Sequence, residues 1–199
     1  CEIGAHLHPW SSPPYREEDL VGRYPSQLDD ATLEAQLGEL TSAIESSLGV
    51  RPVSYRAGRH GFDTRSLRIL EKLGYRVDTS VDPLFNDTRK GGPSFAGASV
   101  SPYWPSHEDV RVAGNSPVLE IPVSSATTPW LPKTLESSFT SMPSIPWRGY
   151  FKRLGLRAVW LRPSYSSVED ARSLASALVA RGVPTLNMLF HSSELVPGG

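Results

Sequence analysis

Val50-Arg51-Pro52-Val53-Ser54-Tyr55, then Asp63-Thr64-Arg65-Ser66-Leu67-Arg68-Ile69-Leu70-Glu71-Lys72-Leu73-Gly74, then Tyr75-Arg76-Val77 read as strand, helix and strand. The first run is short and suits a strand. Asp63 or Thr64 caps a helix whose Leu67, Leu70 and Leu73 turn inward, and Gly74 ends it. Tyr75 opens the next strand. A helix between two such strands predicts a parallel βαβ unit, because parallel neighbours need a crossover of that length.

The same alternation extends in both directions. Towards the N-terminus, Leu33, Leu37, Leu40, Ile44 and Leu48 repeat at helical spacing and Gly49 stops them. A strand-like segment, Glu2-Ile3-Gly4-Ala5-His6-Leu7-His8, opens the chain. Towards the C-terminus, residues 83–117 are rich in Gly, Pro, Ser and Asn and predict a long loop with a hairpin. Leu119 to Val123 is strand-like, and a Pro- and Ser-rich stretch follows to about Trp147. Arg157 to Leu161 is the next strand. Ser167 and Asp170 resemble a capping box, and Leu174, Leu178 and Val179 give the helix behind them an apolar face. Val183 to Phe190 predicts a last, buried strand. The whole pattern predicts an α/β fold with a parallel sheet, open or closed into a barrel, in one domain over residues 1–199. In a barrel, the two long loops would wall a cleft at the C-terminal face of the strands.

Composition narrows the function. The chain has 199 residues, with Lys+Arg 20 against Asp+Glu 21 and a formal net charge of −1. That balance argues against a dedicated nucleic-acid binder, which needs a basic face to offset phosphate charge. Residues are 39% apolar and 21% charged, the proportions of a globular chain. No apolar run approaches the roughly 20 residues that span a bilayer. One cysteine cannot form an internal disulfide, and it leaves the compartment open. No charged leader with an apolar core precedes Cys1, and the chain stops soon after His191. The expectation is a domain cut at both ends.

Four segments carry candidate chemistry. His6 and His8 are two apart, so on a strand they share a face, and two imidazoles side by side suit a divalent metal. Pro9 cannot continue a central ladder, which sets the pair near a strand end. The plain alternative is two partly exposed histidines. Tyr55-Arg56-Ala57-Gly58-Arg59-His60-Gly61 follows a strand, and Arg56 and Arg59 could grip a carboxylate or a substrate, or be solvated charges on a turn. Asp78-Thr79-Ser80-Val81-Asp82-Pro83 ends the third strand, with Asp78 as a site residue or a turn cap. His191 follows a very apolar run and suits proton transfer near neutral pH. His60 and His107 read as loop residues.

Together these segments resemble the NodB-homology polysaccharide deacetylases, carbohydrate esterase family 4. Glu2-Ile3-Gly4-Ala5-His6 resembles the lead-in to that family's histidine pair, Arg56-Ala57-Gly58 its arginine motif, Asp78-Thr79-Ser80 its aspartate motif and Leu189-Phe190-His191 its final motif. The order matches and nearly the whole chain is spanned. The resemblance implies a distorted (β/α) barrel, incomplete because its first strand and C-terminal end lie outside the chain. It implies a metal-dependent hydrolase that removes N-acetyl groups from an amino-sugar glycan. His6 and His8 would ligate a divalent metal, most simply zinc. Arg56 would keep a carboxylate base ionised, His191 would protonate the leaving amine, and Asp78 would orient His191. Trp10, Trp104 and Trp130 stand in or beside loops and would stack on sugar rings or fill the core.

The chain departs from the family in two ways. The histidines are one residue apart rather than three, a form that a subset of the family shares. The Asp-Asp motif, which supplies the base and the third ligand, would lie upstream of Cys1. A degenerate, glycan-binding domain without turnover is therefore the first alternative. An amidohydrolase-type metal barrel, which also starts with His-x-His, is the second, though few histidines remain for its later strands. A barrel without its first strand leaves unpaired edges, so weak zinc binding and low stability are expected of the chain alone.

Overall fold

A computed structural model of the chain describes residues 2–16, 24–128 and 157–196. The chain gathers into two compact units. The first comprises Cys1–Val81, Asp87–Ser94 and Tyr103–Ile121, and the second Asp82–Asn86, Phe95–Pro102 and Pro122–Gly199. The architecture is mixed α/β, with three α-helices among the described residues.

The first unit holds a four-stranded parallel sheet. Its strands are β1 (Ala5–Leu7), β2 (Ser54–Ala57), β3 (Val77–Asp78) and β4 (Leu119–Glu120), in that spatial order. Helix α1 (Asp30–Leu48) lies between β1 and β2 in the chain, and α2 (Thr64–Leu73) between β2 and β3. Register aligns Ala5 with Tyr55, Tyr55 with Asp78 and Asp78 with Glu120. That row is buried throughout. His6 pairs with Arg56 in the adjacent row and so projects from the opposite face.

Capping explains where the helices begin and end. Asp63 accepts from the N–H groups of Arg65 and Ser66 and starts α2, and Gly74 closes it in the left-handed region at φ 82°. Asp29 caps α1 through the Thr32 N–H. The inward face of α1 is Thr32, Leu33, Gln36, Leu37 and Thr41, whereas Leu48 at its end is 54% exposed. Leu7, Leu33, Leu37, Leu67 and Leu70 are fully buried, each contributing on the order of 1.5–3 kcal/mol of transfer free energy.

The strand expected at Val50–Tyr55 forms instead at Ser54–Ala57. Pro52 lacks the N–H a ladder needs, and Val50 is exposed, so pairing starts later. Pro122 likewise coincides with the early end of β4. The hairpin expected within 83–117 is present as an antiparallel bridge between Pro105 and Ala113. Tyr103 extends the sheet beyond β4 by an antiparallel bridge to Glu120.

The second unit pairs β5 (Ser125–Thr128) with β6 (Arg157–Trp160) in antiparallel register and places α3 (Val168–Ala180) against β6. Its core is Ala126, Val159, Leu161, Leu174, Leu178 and Val183. Buried Asp82 accepts from Ser125 Oγ at 2.6 Å, Trp160 Nε1 at 2.9 Å and the Leu84 N–H at 3.1 Å, so its carboxylate is well solvated by the protein. The pairing here departs from the all-parallel expectation. The last expected strand is also corrected. Val183 to Phe190 forms no strand; it makes single bonds from Ser124 N–H to Asn187 O and from Leu189 N–H to Leu161 O. Leu186, Met188 and Phe190 are 39%, 53% and 43% exposed, so one edge of this apolar run faces solvent rather than a second layer.

Candidate active site

The C-terminal end of β1 delivers two imidazoles. His6 and His8 have ring centroids 4.7 Å apart, nearly perpendicular, and His8 lies 4.4 Å from the Trp10 ring. His6 Nδ1 is 2.9 Å from the carbonyl oxygen of its register partner Arg56. A carbonyl only accepts, so Nδ1 carries the proton and Nε2 keeps its lone pair. His6 is exposed and His8 half-buried. The Nδ1 edge of His8 packs on Gly58, where a Cβ would fall 2.4 Å from that nitrogen and 2.5 Å from the Leu7 carbonyl oxygen. Only a glycine admits this approach. Buried Gln36 on α1 donates to the carbonyls of Pro9 and Pro14 at 3.1 and 3.0 Å, which steadies the segment carrying Trp10.

The arginine segment turns sharply beyond β2. Arg59 and His60 are consecutive left-handed residues, at φ 54° and 60°. Such strain, roughly 1–2 kcal/mol per residue, persists only where surroundings hold it. His60 Nδ1 donates to the Ser80 carbonyl at 2.9 Å, and Arg59 lies over the Tyr24 ring, 4.5 Å from its centroid. Tyr24 in turn donates to Asp87, and burial together with that bond pushes its hydroxyl up to about 12. Half-buried Arg56 donates through Nε to Thr79 Oγ1 at 3.0 Å.

Asp78 sits beneath this turn. It is fully buried and accepts from the Ser80 N–H at 3.0 Å and the Ser80 hydroxyl at 2.7 Å. Ser80 Oγ then accepts the Ala57 N–H at 2.8 Å. Across the register, Glu120 is also fully buried; its Oε1 accepts the Val81 N–H at 3.2 Å. Burial raises both acids, and the Asp78 charge pushes Glu120 further up. Glu120 Oε2 is buried and meets no donor, a setting that disfavours the charged carboxylate.

In the second unit, His191 leads into a 3-10 turn, Ser192–Leu195. Its ring is 60% exposed, and Nδ1 lies 3.1 Å from Glu194 Oε1 and 3.1 Å from a terminal guanidinium nitrogen of Arg162. The bond with His191 holds the Glu194 carboxyl down at about 2, helped by the Ser164 N–H and Arg162.

The structure thus brings His6, His8, Trp10, Arg56 and Asp78 into the first unit, with Arg59 turned onto Tyr24. Trp104 is 56% exposed. Trp130 lies outside the described residues. Sequence reading missed Gln36, Glu120 and Arg162. A lone glutamate on a strand of a parallel sheet was the signal for Glu120, because such sheets are covered on both faces. Among the described residues no group of three His, Cys, Asp or Glu side chains could hold a metal. The two imidazoles fit two of the four positions of a zinc set, His6 with the tautomer a ligand needs.

No family model matches the chain, and no curated protein matches it. It is similar to a solved structure of a Mycobacterium smegmatis protein assigned as a polysaccharide deacetylase, at 23% identity and a TM-score of 0.36. The match covers 49% of this chain and 27% of that one, so the chain spans about a quarter of that structure's length. A likeness of that size leaves the functional reading to the residues themselves.

Proposed function

We propose that this chain belongs to a metal-dependent N-deacetylase acting on an amino-sugar glycan, in a distorted (β/α) barrel. The observation that carries the reading is the imidazole pair, with ring centroids 4.7 Å apart and His6 Nδ1 held on the Arg56 carbonyl so that Nε2 bears the ring's lone pair. The ordered resemblance of four motifs to the NodB-homology deacetylases supports it. His6 and His8 would hold a zinc-type ion, which when bound polarises an amide carbonyl and acidifies water. Arg56 keeps a carboxylate base in its ionised form by a charge-assisted bond. Asp78 positions the Thr79–Ser80 turn that receives Arg56 and the Ala57 N–H. Trp10, backed by His8, offers a platform for a sugar ring; Arg59 and Trp130 stand as further substrate contacts. His191 gives a proton to the departing amine.

The test is acetate release from N-acetylated chito-oligosaccharides by the full chain with zinc. Turnover that His6→Ala and His8→Ala each reduce at least a hundredfold supports the proposal. A second reading, glycan binding without turnover, is favoured by the missing third ligand among the described residues. Oligosaccharide binding that survives both substitutions, with no acetate released, would select it.

A further inference from the structure

The loop between His8 and Tyr15 has few means of closing itself. Pro9, Pro13 and Pro14 stand in its six residues 9–14 and bring no N–H. The Ser11 N–H and hydroxyl donate to the His8 carbonyl at 2.9 and 3.0 Å, which shapes the first turn, and the Tyr15 hydroxyl reaches the Ser11 carbonyl at 3.4 Å. The two carbonyls that bracket the loop, Pro9 and Pro14, both turn to one side chain on α1.

That side chain is Gln36. Its Nε2 has two hydrogens and gives one to each carbonyl, at 3.1 and 3.0 Å. The sense of the amide is fixed, because a reversed one would set its oxygen against two carbonyl oxygens. Gln36 is wholly buried on the inward face of α1, and its Oε1 meets no partner among the described residues. As packing alone, an apolar residue would serve there without burying that acceptor. It would not join the two ends of the loop.

The residue this loop presents is Trp10, half-buried, its ring centroid 4.4 Å from that of His8 at an interplanar angle of 37°. The Pro9 carbonyl belongs to the same planar peptide as the Trp10 nitrogen, so its bond to Gln36 fixes the point from which the indole springs. The bond to Pro14 fixes the far end. We infer that Gln36 is a positioning residue that sets the place and tilt of Trp10 against His8, and through Trp10 the affinity for a sugar ring. The second half of this rests on the reading of Trp10 as a glycan platform.

The experiment has two readouts on the full chain. Fluorine-19 NMR follows 5-fluorotryptophan, with Trp10→Phe and Trp104→Phe identifying the two signals. Wild type is expected to show one sharp Trp10 resonance. Gln36→Met, which keeps the bulk and removes both hydrogens, is expected to move and broaden it while the Trp104 resonance, in the same unit, stays. Gln36→Glu, whose buried carboxyl offers at most one hydrogen, is expected to lie between. The second readout is calorimetric binding of an N-acetylated chitotetraose. Gln36→Met is expected to weaken it at least fivefold, and by less than twofold once Trp10→Ala is in place. An unchanged Trp10 resonance in folded Gln36→Met, or equal losses in both backgrounds, would overturn the inference. Should neither Gln36 variant fold, wild type decides: both Gln36 side-chain hydrogens are expected to exchange at least tenfold more slowly than those of a free glutamine side chain, and fast exchange would overturn it. If the resonance moves as expected while wild type binds no oligosaccharide, the positioning of Trp10 stands and the glycan reading falls.

Discussion

Gly58 is the residue on which the histidine pair leans. A methyl group there meets the His8 ring and the Leu7 carbonyl oxygen, the latter a backbone atom that cannot swing aside. Gly58→Ala is expected to cost about 1–3 kcal/mol by overpacking and to displace His8. Urea unfolding measures the first, and zinc titration the second. Glu120 makes a pH prediction. Its folded pKa is raised, as is that of Asp78, so the native state binds more protons than the unfolded chain above the ordinary carboxylate range. The slope of stability with pH is then negative. This contribution is fully present below about pH 4 and lost as pH rises through the folded pKa values. Glu120→Gln keeps the acceptor for Val81 and turns the other position into a donor to Asp78. It is expected to flatten that decline, which thermal melts from pH 4 to pH 8 would record; an unchanged slope would assign the decline to other groups.

At the scale of elements, short parallel strands carry the candidate residues at or near their ends, and strands and helices together bury the core. Helix α2 depends on Asp63, which receives two backbone N–H groups and the Ser66 hydroxyl and also grips Arg65. Asp63→Ala is expected to lower stability by about 1–2 kcal/mol, read from the midpoint of urea denaturation. The expected loosening extends to the sheet, because α2 leads directly into β3 and its buried Asp78. In the second unit, Leu178 is fully buried and clusters with Ala126, Val159, Leu161, Leu174 and Val183. Leu178→Ala is expected to cost about 2–5 kcal/mol, the transfer free energy of the lost methyl groups plus the cavity they leave.

For the whole molecule, the proposed metal site would link binding to folding. A ligand that binds only the folded state adds stability as RT ln(1 + [L]/Kd), about 2.7 kcal/mol at a hundredfold excess over Kd. Zinc is expected to raise the Tm of wild type as sites fill, and a chelator to reverse it. His6→Ala or His8→Ala is expected to remove the rise. A rise that persists in both variants would move the metal away from β1. No helix among the described residues is long and apolar enough to cross a membrane, and the net charge of −1 gives a glycan, a largely neutral partner, no electrostatic obstacle.

Local signals were legible in the chain itself. Asp63 or Thr64 at one end and Gly74 at the other announced α2 to within one residue, because capping is chemistry between near neighbours. The spacing of His6 and His8 announced a shared face, because strand period is a covalent property. The place of strand pairing was less legible, since Pro52 removed a donor that the apolar pattern did not register. The direction of the β5–β6 pair and the failure of Val183–Phe190 to join a ladder depend on what lies across from them, which no local pattern encodes. The same holds for the buried Asp78–Glu120 pair and for Arg162 at His191. Those partners are 42 and 29 residues apart in the chain, and only the fold decides which charged groups meet. Propensity and period are written residue by residue, whereas the pKa of a buried acid is a property of distance and burial, which exist only once the chain has closed on itself.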